Sequence, residues 1–142
     1  MQILRRGAVV LAILFLPHWI NAQQIRTINL PANNVIYDPY DGMLYASVPG
    51  SAGANGNSIV PINPVTGAIG ASVFVGSEPN RMAISDDGHY LYVGLDGAGA
   101  VRRFNLLTQQ ADIQFSLGLS QACGQDIAGD LRVMPVIRMR SL

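Results

Sequence analysis

The chain has 142 residues and no lysine, and its nine arginines balance nine carboxylates to a formal net charge of zero. A chain of this length forms at most one ordinary domain, and its neutrality gives no electrostatic reason to bind nucleic acid or an anionic membrane. The apolar share of 49% is too high for intrinsic disorder.

The N-terminus carries the pattern of an export signal. Two arginines precede a ten-residue apolar run at positions 7–16, and a small residue, Ala22, stands where a signal peptidase could cut. This pattern predicts a secretory signal peptide over residues 1–22, with an N-terminal signal helix. The alternative is a membrane anchor, but a span needs about 20 apolar residues, and Pro17 interrupts the run too early. We therefore expect a secreted, periplasmic or cell-surface protein with no stable membrane span after cleavage.

The mature chain then reads as two copies of one pattern, residues 31–76 and 77–118, after a β-favouring lead-in at residues 23–30 that could form one strand. The first half of copy one matches residues 47 positions further on, and its second half matches residues 42 positions further on. The extra residues of the first copy lie in the Gly/Asn-rich run 49–57, because insertions are tolerated best in a surface loop. Tandem copies of this length predict an array of stacked units.

Turns divide the second copy into four short strands. We expect strands at 82–85, 90–95, 100–105 and 111–117, with turns at Asp86-Asp87-Gly88 and Asp96-Gly97-Ala98-Gly99. Five tyrosines are expected to pack between the units with their hydroxyls outward. They are Tyr37, Tyr40, Tyr45, Tyr90 and Tyr92.

This unit resembles the YVTN-type β-propeller repeat of bacterial and archaeal surface proteins. The matching residues are Pro79, Met82-Ala83-Ile84, Ser85-Asp86-Asp87-Gly88, Leu91-Tyr92-Val93 and Thr108 at the family's Thr-Gly turn. Asn63 and Asn105 replace the family's usual aspartate. The resemblance covers residues 30–118, and NHL and WD-repeat propellers use the same four-stranded unit. It implies an all-β, incomplete β-propeller of tandem four-stranded antiparallel blades.

Residues 129–135 resemble the opening of another blade, so we expect 119–142 to be a partial third blade or an irregular tail. Propellers close rings of about four to eight blades, and two blades alone would leave two apolar sheet faces uncovered. Three explanations stay open. The chain is a fragment of a longer propeller, several copies associate through the open faces to complete a ring, or the segment is unstable with no function of its own.

The sequence offers no pattern of residues for catalysis or for metal or cofactor binding. His89 is the one histidine of the mature chain and follows a turn, so it lacks the partners that zinc needs. The spacing of Asp86, Asp87 and Asp96 does not match a calcium loop, and the glycines at 94–99 lie between strands rather than before a helix. No serine has a credible base and orienting group beside it.

The arginine pair and the single cysteine do not predict a binding or catalytic site either. Arg102 and Arg103 occupy adjacent strand positions, so their side chains should point to opposite faces and cannot form one anion-binding patch. Cys123 is the only cysteine and cannot form an internal disulfide; it could be buried, incidental, or a partner for another chain.

We therefore predict an exported propeller segment that acts as a binding or surface scaffold for a protein or carbohydrate ligand. The loop 49–57 and the turn 96–99 are expected to contribute the variable contacts. The alternative is a fragment of a propeller enzyme, such as a lactonase-like hydrolase or a quinone- or haem-dependent oxidoreductase. Such chemistry would need inward-facing ligands from several blades, which the sequence does not display, and we expect no cofactor.

Overall fold

The computed structural model describes residues 25–120 and 124–134. The predicted signal peptide, Cys123 and the last eight residues lie outside these ranges. Two four-stranded antiparallel sheets follow one another, each with its strands in chain order. The first sheet contains β1 (Asn34–Tyr37), β2 (Leu44–Val48), β3 (Ser58–Ile62) and β4 (Val73–Phe74). The second contains β5 (Pro79–Ile84), β6 (Tyr90–Leu95), β7 (Ala100–Asn105) and β8 (Gln110–Ser116).

Three smaller elements complete the fold. A 3₁₀ helix, Gly50–Asn55, which is interrupted by a kink at Gly53 with φ of 68°, occupies the loop between β2 and β3. A two-stranded ribbon of β9 (Leu119–Ser120) and β10 (Gly124–Gln125) follows the second sheet. Residues 25–33 and 126–134 form no strand, so the strand that residues 23–30 could have formed is absent from the described part of that range, 25–30. Strands β6 and β7 have the predicted bounds. Strand β5 begins three residues earlier than predicted, at Pro79. Proline is tolerated as the first residue of a strand, although it has no backbone amide hydrogen to donate.

The repeat is visible in the turns as well as in the strands. The Asn63 Oδ1 atom accepts hydrogen bonds from the amides of Val65 and Thr66, both at 2.9 Å. The Asn105 Oδ1 atom, 42 positions further on, accepts from Leu107 and Thr108 at the same distance. An asparagine oxygen serves this turn as well as the family's aspartate because the turn needs an acceptor, not a charge.

The largest core lies between the two sheets. The first sheet contributes Tyr45 and Ile59, and the second contributes Leu91, Val93 and Phe104, all at most 1% exposed. The Tyr45 and Phe104 rings lie 6.4 Å apart with a tilt of 60°. Burying each large apolar side chain stabilises the fold by about 2 kcal/mol. Packing against each other therefore stabilises both sheets, as it does neighbouring blades of a propeller.

The outer face of each sheet is covered by a segment of the same chain. Ile28 and Leu30 pack against Ala46, Val48, Val60 and Ile62 of the first sheet, which are at most 5% exposed. On the second sheet, Ala128 and Leu131 approach Gly94. The expectation that both apolar faces would be uncovered is therefore only partly right, because residues flanking the blades shield them. Apolar surface remains on the second sheet at Ile113 and Phe115.

The connections define two ends of the blades. The upper end carries the 3₁₀ helix, the linker 75–78 between the blades, and the turn 96–99. The lower end carries the β1–β2, β3–β4, β5–β6 and β7–β8 connections. Candidate binding groups are found at both ends.

Candidate functional site

At the upper end, Glu78 ties the two blades together. Its backbone amide donates to Asn57 Oδ1 at 2.9 Å, and its own Oε1 accepts from the Gly50 amide at 3.2 Å. A Cβ added at Gly50 would lie 2.6 Å from that carboxylate oxygen, so any larger residue would displace the end of the Glu78 side chain. Both Asn57 and Glu78 adopt left-handed backbone, with φ of 59° and 50°. Asparagine enters this region readily, whereas a glutamate remains there only when its surroundings hold it.

The turn 96–99 joins the same surface. The Asp96 amide donates to the Glu78 carbonyl at 2.9 Å, and Asn80 Nδ2 donates to Asp96 Oδ2 at 2.7 Å. Among the described residues, the buried Asp96 Oδ1 has no hydrogen-bond partner. The structure thus brings together the two predicted contributors, 49–57 and 96–99. It adds Glu78, which sequence reasoning missed although it lies in the linker between the blades.

The lower end holds a cluster of Ser85, Asp87 and His89. Ser85 Oγ donates to Asp87 Oδ1 at 2.6 Å, and His89 Nδ1 lies 3.3 Å from Asp87 Oδ2. The bond from Ser85 is the main cause that lowers the pKa of Asp87. Because the serine proton is directed to the carboxylate and not to the imidazole, the order of groups differs from that of a nucleophilic triad. The cluster shapes an exposed turn, as the sequence predicted for His89.

Tyr45 departs from the expectation that the tyrosine hydroxyls point outward. Its side chain is 1% exposed, and its hydroxyl donates to Asp41 Oδ2 at 2.6 Å and accepts from Gln109 Nε2 at 2.8 Å. Burial, followed by the hydrogen bond to Asp41, raises the pKa of Tyr45 well above its usual range. Tyr37 and Tyr40, in contrast, are more than half exposed. The tyrosines therefore differ in exposure, and the expectation of an outward hydroxyl is wrong for Tyr45.

Arg102 and Arg103 lie on opposite faces, as strand alternation predicts. Arg102 Nε donates to the Val75 carbonyl of the first blade at 2.9 Å. Arg103 Nη2 lies 2.9 Å from Asp112 Oδ2, and its guanidinium carbon lies 4.3 Å from the centre of the Tyr90 ring. The hydrogen bond from Arg103 is the largest cause that lowers the pKa of Asp112. Both arginines are engaged in structural contacts rather than in an anion site.

Neither a metal-binding cluster nor a membrane-spanning helix occurs in the part of the chain that the structure describes. In ranges 25–120 and 124–134, no three His, Cys, Asp or Glu side chains converge on a point that could hold a metal ion. The same ranges contain no helix with the length and apolar character that crossing a membrane requires.

Comparison with known proteins bears on the fold. No family model matches the chain, and no curated protein matches its sequence. A hydrazine synthase of Kuenenia stuttgartiensis superposes with a TM-score of 0.60 and 22% identity, over 83% of this chain and 30% of that one. The structure titled U3-55K and the RRP9 WD40 repeats each superpose with a TM-score of 0.53 and 20% identity, over 72% of this chain and 29% of theirs.

The chain spans less than a third of the length of these structures. At this level of identity the likeness concerns the fold and not the activity. Together with two consecutive four-stranded antiparallel sheets packed face to face, it shows that this chain is an all-β protein with the fold of an incomplete β-propeller.

Proposed function

We propose that this chain is an exported segment of a YVTN-type propeller and that it acts as a binding or surface scaffold. The observation that carries the proposal is the upper end, where two loops and the inter-blade linker form one surface around Glu78. A surface fixed by hydrogen bonds from both blades is pre-organised, so a ligand loses little affinity to loop ordering.

Export and family membership are supported by the sequence. The basic and apolar N-terminus with Ala22 has the arrangement of a cleaved signal, and the second copy keeps the Leu-Tyr-Val strand of the YVTN pattern at Leu91-Tyr92-Val93. The expected location is the periplasm, the cell surface or the medium. The expected ligand is a protein or a carbohydrate that contacts loops from several blades at once.

Export is tested by expressing the full chain in a bacterial host and measuring the mass of the mature protein in the cell fractions. Cleavage after Ala22 should give a product that begins at Gln23, recovered outside the cytoplasm. Substituting the apolar run at positions 7–16 with polar residues should keep the uncut chain inside the cell. An uncut product in the cytoplasm of cells expressing the natural sequence would contradict the proposal.

The binding role is tested separately with variants that block the upper surface. Ser51 and Ala98 are exposed at that end, and Ser51→Arg and Ala98→Arg would place long side chains over it. Saturable binding of the full chain to isolated bacterial envelopes should weaken by about tenfold in both variants. Val65→Arg at the lower end is the matched control and should bind as before. Treating the envelopes with protease or with glycosidase then distinguishes a protein ligand from a carbohydrate.

A further inference from the structure

A groove of about 360 Å³ opens at the lower end, between the inner strands of the two blades. Its walls are Ile36 and Ile84, and Tyr37 and Tyr40 border it with Asp86. Both blades that build the groove belong to this chain. The groove is therefore complete without any further blade, unlike a ligand site at the centre of a closed ring.

Contacts with the second blade hold the Tyr40 side chain in one position. Its hydroxyl donates to the Asp86 carbonyl of the second blade, and its ring lies against Gly88, where any added Cβ would overlap it. One face of the ring is thus held by the protein, yet the residue remains 63% exposed. A rigid, exposed tyrosine offers a large contact area with little conformational entropy to lose.

The groove is lined by one carboxylate, that of Asp86. Asp87 also follows β5, and Asp41 lies in the β1–β2 connection, but neither lines the groove. Asp41 and Asp87 already accept hydrogen bonds, whereas the exposed Asp86 carboxylate accepts none from the described residues. Arg26 also reaches the lower end, but beside Leu44, on the face of the first sheet turned away from the second blade.

We propose that this groove binds a partner polypeptide through an arginine side chain. A guanidinium group stacks on an aromatic face and at the same time donates hydrogen bonds to a carboxylate, and arginine is better suited to both than lysine. The exposed ring of Tyr40 supplies the aromatic face, and Asp86 supplies the carboxylate. The groove lies at the opposite end from the surface of the proposed function, so the two proposals succeed or fail separately.

The test measures binding of a fluorescein-labelled Gly-Arg-Gly-Arg-Gly peptide to the full chain by fluorescence anisotropy. Citrulline keeps the shape of arginine without its charge, so the matched citrulline peptide should bind at least about tenfold more weakly. Asp86→Asn and Tyr40→Ala should each weaken binding of the arginine peptide by about fivefold. Tyr40→Phe keeps the ring and should retain most of the affinity.

Matched controls lie elsewhere on the surface. Asp130→Asn removes an exposed carboxylate and Phe74→Ala an exposed aromatic ring, and both variants should bind the arginine peptide as the natural chain does. Ser51→Arg should also leave this binding unchanged, which separates the groove from the upper surface. Should Tyr40→Ala fail to fold, Asp86→Asn decides, because Asp86 is exposed and its carboxylate accepts no hydrogen bond from the described residues.

Three results would overturn the proposal. The first is equal binding of the arginine and citrulline peptides. The second is binding of the arginine peptide that Asp86→Asn leaves unchanged. The third is binding of a neutral oligosaccharide that Tyr40→Ala abolishes and Asp86→Asn does not affect, since that would assign the ring to a sugar ligand.

Discussion

The Gln109 side chain of the second blade donates a hydrogen bond of 2.8 Å to the hydroxyl of Tyr45 in the first. Gln109 stands at the position of Gly67 in the first copy, and both residues adopt left-handed backbone, with φ of 54° and 74°. The second blade therefore has a long polar side chain where the repeat pattern favours glycine. That side chain connects the two blades through a residue 64 positions away.

This relationship predicts different outcomes for two substitutions at Gln109. Gln109→Ala removes the hydrogen bonds that Nε2 donates to Tyr45 and to the Leu106 carbonyl but keeps a Cβ in left-handed backbone, so the free energy of unfolding should fall by about 1 kcal/mol. Gln109→Gly also loses these bonds, but it relieves backbone strain of about 1 kcal/mol, and its stability should stay near that of the natural chain. Urea unfolding followed by circular dichroism measures both. If the glycine variant is less stable than the alanine variant, the strain argument is wrong.

Gly67 provides the companion experiment in the first blade. Gly67→Ala places a Cβ in left-handed backbone with no new hydrogen bond, so it should destabilise the chain by about 1 kcal/mol. Equal stability of this variant and the natural chain would indicate that the turn can change its backbone conformation.

Tyr45 predicts a loss of stability at alkaline pH. Its pKa in the folded chain is raised above the ordinary 10.0, so the folded state holds the phenolic proton more tightly than the unfolded state does. The resulting stability is fully present below about pH 10 and declines as the pH rises above it, by at most about 1.4 kcal/mol per pH unit. Urea midpoints measured across this range should fall less steeply in Tyr45→Phe. The exposed Tyr37→Phe should leave the slope unchanged.

The sequence predicts much of this fold because its turns are locally encoded. Asp-Gly turns fix the ends of β6 and β7, and alternation fixes their faces, so both strands lie where expected. Glu78 could not be identified in this way, because its partners Gly50 and Asn57 reach it only after the blades pack. Gln109 is a similar case: as a departure from the Thr-Gly turn it was visible in the sequence, but its bond to Tyr45 depends on tertiary structure.

Asp112 should titrate at a lower pH than an ordinary aspartate. The hydrogen bond from Arg103 favours its charged form and lowers its pKa below the ordinary 3.8. The lowered pKa stabilises the folded chain at higher pH, and this stabilisation is lost as the pH falls through the lowered pKa. Nuclear magnetic resonance of the carboxyl carbon measures the midpoint directly. Arg103→Met should move that midpoint upward, and a midpoint that does not move would show that another group is responsible.

Substitutions of Asn63 and Asn105 test whether the corresponding turns of the two blades contribute equally to stability. Asn63→Ala and Asn105→Ala each remove an oxygen that accepts two backbone hydrogen bonds, so each variant should lose about 1 kcal/mol of unfolding free energy. Asn63→Asp and Asn105→Asp keep the acceptor and should remain close to the natural stability. A much larger effect in one blade than in the other would mean that the turns differ in their tertiary support.

The segment 126–134 shields the outer face of the second sheet, and Leu131 is the residue to test. With Arg132 and Val133, Leu131 lines a cavity of about 230 Å³ against Ala83, Tyr92 and Val101, so the shielding is loosely packed. Leu131→Asp should release the segment and expose that apolar face, which would raise the binding of a hydrophobic dye and the molar mass measured by light scattering. Met134→Asp adds the same charge at a side chain that is already 82% exposed, and it should change neither quantity. A monomeric Leu131→Asp chain with unchanged dye binding would show that the face stays dry without the segment, and the shielding role would then have to be abandoned.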